Sequence, residues 1–352
     1  MKPKWRLLND GVTEAHPHFA IEEALVRLCD EGFSPPTLRL RRIRRAVFVG
    51  ILQDTWSEVD VDYCRAHDID IVRRPTGGGA VYQDVGSFCY SAFCLRNTLS
   101  QDSKALYRLF AEPIARTCAD YGVEAHFGGR NDLLVGERKI YGTAQLEWYD
   151  VFVQSGTLLV NMDFDTLAEA LTPPAVKFQD KTAKSVKERV TSLAQELGPP
   201  VDTEAVMARF VEHFAAVLGV DLVPGDLLPE ERALADELLA VKYGRDDWNF
   251  GTRRTYGVIL STKTPDGVLS LAADLEGRTI RAARIQGDLL STSREALESL
   301  AQRWIDHSLD EAQAIVAETA LAVEIRTALK TLLSELREPE TPSYWRLEDD
   351  HD

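Results

Sequence analysis

Three stretches of this sequence combine residue types suited to phosphate and carboxylate chemistry. The first is Arg73-Arg74-Pro75-Thr76-Gly77-Gly78-Gly79-Ala80-Val81-Tyr82. Consecutive glycines between two strand-like runs permit positive φ and close approach of a ligand to the backbone, and adjacent guanidiniums offer forked donors to a carboxylate or phosphate. The pattern is neither a Rossmann nor a P-loop fingerprint, since both of those lead from a strand into a helix with spaced glycines. The second runs from Gly129 through Asn131, Asp132, Lys139 and Tyr141 to Gly142, Thr143 and Ala144, with an amide and a carboxylate ahead of one strand and a cation leaving its partner. The third, Lys181 to Leu193, is basic and carries Lys184, Ser185, Lys187 and Arg189. Each has an ordinary counterpart: a glycine hairpin with solvated arginines, a hairpin with an exposed lysine, and a solvated basic helix start.

Other chemistries find less support. The seven histidines form no His-x-x-x-His pair or Cys/His cluster, and no Gly-x-Ser-x-Gly occurs. The five cysteines, Cys29, Cys64, Cys89, Cys94 and Cys118, are odd in number, lack a CxxC pair and sit mostly in apolar segments, which reads as reduced core residues.

Strands must position the first two stretches. Short β-rich runs recur at Trp5–Leu8, Thr37–Leu40, Ala46–Gly50, Ile69–Arg73, Ala80–Tyr82, Ser87–Leu95 and Gly156–Val160, with a hairpin joining Leu133–Val135 to Lys139–Tyr141 across Gly136-Glu137. Helices are expected where Ile21, Ala24, Leu25 and Leu28 recur, over Ser103–Tyr121 and over Thr203–Leu218. Pro173 to Leu193 reads as a surface loop with a helical insert. After Trp248-Asn249-Phe250-Gly251 the texture becomes three short strands, then two helices opened by capping boxes at Thr292/Glu295 and Ser308/Glu311. The expected fold is α/β (α+β): a large mixed-sheet domain over 1–247, a small β-β-β-α-α domain over 248–340, and an acidic tail over 341–352.

Length and composition agree with a large and a small domain: 352 residues, 45% of them hydrophobic. A formal net charge of -16 disfavours nucleic-acid binding, which depends on cations neutralising phosphates. No stretch approaches the roughly 20 apolar residues that span a bilayer, and the first residues lack a signal-peptide pattern, so a cytoplasmic location and no membrane partner are expected.

Together the segments resemble the lipoate-protein ligase A family, of the biotin/lipoate-ligase fold and bacterial type with a C-terminal accessory domain. Its ordered motifs are met by Arg73 to Val81, Gly129 to Val135, Arg138 to Ala144 and Gly156-Thr157-Leu158-Leu159-Val160-Asn161. The lysine-rich segment resembles the family's adenylate-binding loop, and Pro17 to Glu23 and Trp248 to Gly251 also match, so the resemblance covers nearly the whole chain. It implies ATP-dependent activation of lipoate or octanoate to an acyl-adenylate, with Mg²⁺, and transfer to a lysine of a lipoyl carrier domain of the 2-oxoacid dehydrogenase or glycine-cleavage type. Lys139 becomes the electrostatic catalyst. Arg74, Thr76, Gly77, Gly78, Gly79, Gln83, Tyr141, Gly142, Thr143, Ala144 and Ser155 become acyl-adenylate contacts; Asn131, Asp132, Lys181, Ser185 and Arg189 become nucleotide or Mg²⁺ contacts. Arg39, Arg41, Arg42, Arg44 and Arg45 would steer an acidic carrier, or simply protect a strand edge.

The chain departs from the pattern on the acyl side. Gln83 and Ser155 stand where histidines are usual, Tyr141 replaces a common serine, and Arg41 occupies an often aromatic position. Rival readings are an acyltransferase of the same fold working through a cysteine thioester, for which Cys89 or Cys94 could face a pocket, and a binding protein that has lost catalysis. A biotin-protein ligase lacks support because its Gly-Arg-Gly-Arg loop and Lys-x-Gly-Gly pattern are missing.

Overall fold

Long runs of β-branched and aromatic residues put much of the chain into strands. The computed structural model describes residues 2–100, 102–129, 131–172, 187–290 and 292–337. Its strands are β1 (Lys4–Thr13), β2 (Thr37–Ile43), β3 (Ala46–Val49), β4 (Asp70–Arg73), β5 (Val81–Gln83), β6 (Ser87–Leu95) and β7 (His126–Gly128), followed by β8 (Asp132–Val135), β9 (Arg138–Trp148), β10 (Val151–Leu159), β11 (Asp221–Pro224), β12 (Val258–Thr264), β13 (Gly267–Glu276) and β14 (Thr279–Gly287). The chain divides into two units, Met1–Thr252 and Arg253–Asp352.

In the first unit an eight-stranded mixed sheet runs β11-β1-β2-β6-β10-β9-β8-β7, and a three-stranded sheet runs β4-β3-β5. The large sheet is parallel from β11 through β1 to β2 and antiparallel from there to β7. Its two faces are covered differently. On one, Leu38, Leu40, Phe88, Tyr90, Leu133, Ile140 and Tyr141 pack with Phe110 and Phe210 from the helices Ser103–Asp120 and Thr203–Leu218. Those helices start where Asp102 and Asp202 accept free backbone N–H groups, and the second ends at Gly219 in the left-handed region (φ +67°). On the other face, Phe19, Ala20 and Ala24 of the helix His16–Asp30 pack with Phe48, Val72 and Cys89.

Several helical pieces of this unit, Phe164–Ala170 and Asp246–Asn249 among them, are not expected from the sequence, and two others run together. Pro229–Leu238 continues into a π-helical turn, Leu239–Tyr243, and packs on the helix His16–Asp30. It is acidic on most of its surface, and the residues it buries are Glu231, Ala235 and Leu238. Glu231 is held by a two-pronged contact with Arg6 (2.6 and 2.8 Å), a polar anchor that hydrophobic periodicity does not reveal.

The second unit is the antiparallel meander β12-β13-β14 with helices Arg294–Arg303, Leu309–Ala317 and Val323–Glu335. The third helix is additional to the two expected. No side chain caps it at Ala322, although Ile325, Ala328, Leu329, Leu332 and Leu333 bury one face. Ser308 and Glu311 form the expected capping box, whereas the other start shifts by one residue: Ser293, not Thr292, accepts from the backbone N–H of Ala296.

Candidate active site

The strand β9 carries a bulge. Tyr141 pairs with Leu133 while Lys139 pairs with Leu134, leaving Ile140 without a partner across β8. An extra residue reverses the alternation of faces at that point. Ile140 and Tyr141 both enter the core, and Lys139 and Gly142 share the opposite face. Lys139 Nζ lies 2.7 Å from Asp132 Oδ1, with the two side chains 37% and 29% exposed. A Cβ on Gly142 would stand 2.4 Å from Nζ and Cε of Lys139, so the lysine occupies the space a side chain would take. The backbone of Lys139 is also held by the segment 190–191, its carbonyl accepting from Thr191 N at 2.8 Å. Asn131 closes the neighbouring turn, donating from Nδ2 to Thr143 O (2.6 Å) and accepting Thr143 N–H (3.1 Å).

The same face continues across the sheet in two rows. Gly142, Thr157, Cys89 and Arg41 are register partners on β9, β10, β6 and β2, as are Ala144, Ser155, Ser91 and Arg39. Exposure falls along both rows: Gly142, Ala144, Ser155 and Thr157 are half-buried, while Cys89, Ser91, Arg39 and Arg41 are buried. Ser155 Oγ is 2.8 Å from Ser91 Oγ, and Arg41 Nη2 donates to Ser91 Oγ (2.9 Å) and to Glu22 Oε1 (2.8 Å). Gln83, at the end of β5, donates to Thr157 Oγ1 at 3.2 Å and accepts from Ser87 and Cys89. Gln83 and Ser155 are thus brought to one surface with Lys139 and Gly142.

Tyr141 is not, which corrects the sequence expectation that it lines the acyl side. The bulge turns it into the core, fully buried, where its hydroxyl meets Tyr90 Oη at 2.8 Å and its ring fills the space beside Gly156. Thr143 follows the same parity; its buried hydroxyl donates to Ser155 O at 2.6 Å. Its backbone carbonyl and N–H are the groups that meet Asn131.

The glycine loop is shaped by cations. Arg74 donates to Phe48 O (2.9 Å), Gly77 O (2.9 Å) and Gly79 O (2.7 Å), so its guanidinium holds the loop's own carbonyls. Arg73 is buried and binds Gly50 O (2.8 Å), Gln53 O (2.7 Å) and Thr55 Oγ1 (2.7 Å), and its backbone N–H reaches Asn249 Oδ1. Of the three consecutive glycines Gly78 alone takes positive φ, +92°. Its carbonyl lies 2.1 Å from where a Cβ of Gly50 would be, so the second close approach belongs to Gly50, a residue the motif did not flag. Thr76 O accepts from Ile51 N at 3.0 Å, and Thr76 through Gly79 remain half-buried.

Burial tunes several groups near the site. His18, buried against both arginines and stacked on Phe48, has its pKa pushed well below the ordinary 6.5 by desolvation, then by Arg41 and Arg39. Desolvation pushes all five thiols up: Cys29 to about 11, Cys64, Cys94 and Cys118 to about 12, and Cys89 in the same direction. Cys89 is on the site face and Cys94 in the opposite core, as their parity requires.

The five-arginine steering surface is not formed. Arg39 and Arg41 point inward at 0% and 1% exposure, and Arg42 pairs with Glu204. Only Arg44 and Arg45 of the run are exposed, and Arg44 contacts Glu14 at 2.8 Å. β2 is covered on both faces, so alternate arginines had to turn into one of them; His18 and Glu22, one helical turn apart, are the sequence signal for their partners. Arg189 closes the short 3-10 turn Lys187–Arg189 beside Val190, which bridges to Lys139. Lys181, Lys184 and Ser185 lie outside the described residues, as does the acidic tail. Among the described residues no cluster of three His, Cys, Asp or Glu could hold a metal by itself, and no helix is long and apolar enough to cross a membrane.

Residues 14–215 match the lipoyl protein ligase A/B catalytic domain. Lipoate-protein ligase A subunit 1 of Thermoplasma acidophilum is 32% identical over 245 residues, 67% of this chain and 92% of the relative. Octanoyltransferase LipM of Kyrpidia tusciae is 32% identical over 271 residues, 70% of this chain and 98% of the relative. A crystal structure of lipoate-protein ligase A bound with ATP is 28% identical with a TM-score of 0.62, covering 70% of this chain and 99% of that one. With the match spanning the helix His16–Asp30, the glycine loop and the bulged strand of Lys139, the chain belongs to the lipoate-protein ligase family.

Proposed function

We propose that this enzyme activates a medium-chain carboxylic acid of the lipoate or octanoate class with ATP and transfers it to a lysine of a lipoyl carrier domain, working in the cytoplasm. The acid's carboxylate attacks the α-phosphorus, pyrophosphate leaves, and the carrier amine then attacks the acyl carbonyl, releasing AMP and a proton. Both steps gather negative charge on oxygen, which a fixed cation stabilises without reorganising. The observation that carries this reading is Lys139, presented on the site face by the bulge and oriented by Asp132 at 2.7 Å. The half-buried glycine loop offers backbone close to a ligand, with Arg74 keeping its shape. Arg189, with Lys181 and Ser185, would complete the nucleotide contacts.

Mg²⁺ fits the donors present. A hard cation carried on a nucleotide needs one or two protein oxygens, and Asp132, with the amide oxygen of Asn131, whose nitrogen is committed to Thr143, would supply them. When bound, it would neutralise phosphate charge.

An octanoyltransferase reading needs a reactive thiolate. Cys89 is on the right face, yet it is buried, hydrogen-bonded to Gln83 and pushed toward the neutral thiol, which favours the ligase. Mass spectrometry of a lipoyl domain incubated with enzyme, lipoate or octanoate and Mg²⁺ tests the choice. Acylation that requires ATP and yields AMP is expected. Transfer from an acylated donor protein without ATP would contradict it.

A further inference from the structure

The site face ends in charged side chains, not in an apolar pocket. From half-buried Ser155 the hydrogen-bonded row passes inward through Ser91 to Arg41, with Arg39 and His18 behind it. Arg41 Nε is buried and has no hydrogen-bond partner among the described residues. Neutral His18 has one acceptor nitrogen, yet each of its ring nitrogens faces a guanidinium N–H at 3.2 Å. Glu22 Oε1 takes Arg41 and Ser91 together, and Asp10 takes Arg39 at 2.7 Å. Burying a methyl or dithiolane end against this surface would leave those donors as they are. An oxygen acceptor would satisfy them, and an unmet buried donor is costly.

We infer that Arg41, with Ser91 and Ser155, selects an acid whose far end carries an oxygen acceptor, so that a dicarboxylic acid is bound in preference to a monocarboxylic acid of equal length. This rests on the activation reading for which end reacts. The rows set the distance between the two ends: Gly142 and Arg41 are three strand spacings apart, roughly 14 Å, and the arginine side chain reaches back into that span to Ser91. His18, kept neutral by burial and by the two guanidiniums, leaves the cluster with two cations against Glu22 and the partly exposed Asp10.

Calorimetric titration of the full-length protein with octanedioate, octanoate and lipoate reads the preference without requiring turnover. Octanedioate should bind at least about tenfold tighter than octanoate. In Arg41→Lys, which keeps the charge and removes the fork, that ratio should fall toward one, and Ser155→Ala should lower it in a protein whose core is unaltered. Octanoate or lipoate binding as tightly as octanedioate, or no measurable binding of any of the three, overturns the inference. Acid-dependent pyrophosphate exchange on the same samples separates the two claims: tight octanedioate binding without exchange would leave this selectivity standing and remove the ligase reading.

Discussion

Lys139 Nζ and Asp132 Oδ1 meet at 2.7 Å over Gly142, a residue whose missing side chain leaves the space that the lysine fills. Gly142→Ala tests whether that space matters. The atoms a methyl group would meet are the far end of a flexible side chain, so the protein should keep its denaturation midpoint while Lys139 is displaced. Displacement on this scale costs on the order of a hundredfold in rate. Circular dichroism melts and carrier acylation rates, measured side by side, should therefore separate; parallel losses would make Gly142 a folding residue.

Tyr141 should behave as core. Tyr141→Phe removes the hydroxyl that meets Tyr90 and should cost about 1 kcal/mol by urea unfolding, with the ranking of acids unchanged. Tyr141→Ser opens a cavity and should cost roughly 3–5 kcal/mol, the range for deleting a buried aromatic ring. A stable Tyr141→Ser protein with an altered acid ranking would return this residue to the pocket.

Each cysteine should be dispensable for ligation. Cys89→Ala, Cys94→Ala and Cys118→Ala, tested singly, should keep ATP-dependent acylation within a few-fold of the parent, because buried thiols with raised pKa values are poor nucleophiles. Intact-protein mass spectrometry that finds an acyl-enzyme on Cys89 would favour the transferase.

His18 should make the fold acid-sensitive. Its folded pKa is depressed, so the unfolded chain binds the proton more readily. Its contribution is complete above the unfolded value of 6.5 and is lost as pH falls below it, by up to about 1.4 kcal/mol per pH unit until the folded pKa is reached. Urea midpoints from pH 7.5 to 5 should fall in the parent and flatten in His18→Gln. Equal slopes would show that other groups set the acid limb.

The site was legible to the extent that local pattern fixed it. Lys139, Gly142 and Asn131 with Asp132 stand together because a tight hairpin joins them, and hairpins are written in a few consecutive residues. The bulge at Ile140 was not legible: Lys139 to Gly142 reads as ordinary alternation, and one inserted residue put Lys139 and Tyr141, two apart in sequence, on opposite faces. Arg39 and Arg41 misled for a related reason. Charge in a strand suggests an exposed edge, but β2 lies between β1 and β6, and distant partners, Glu22 nineteen residues back and Ser91 fifty ahead, make the burial of Arg41 tolerable. The helix Pro229–Leu238 was hidden by similar long-range chemistry, through Arg6 and Glu231.

Pyrophosphate exchange into ATP, run with acid and Mg²⁺ but no carrier, tests the central claim most directly, because it isolates adenylation from transfer. The parent should show exchange that depends on the acid, and Lys139→Ala should lose it by roughly a hundredfold or more while melting at the parent temperature. Exchange in Lys139→Ala at the parent rate would contradict the account, as would a parent that exchanges with no acid supplied.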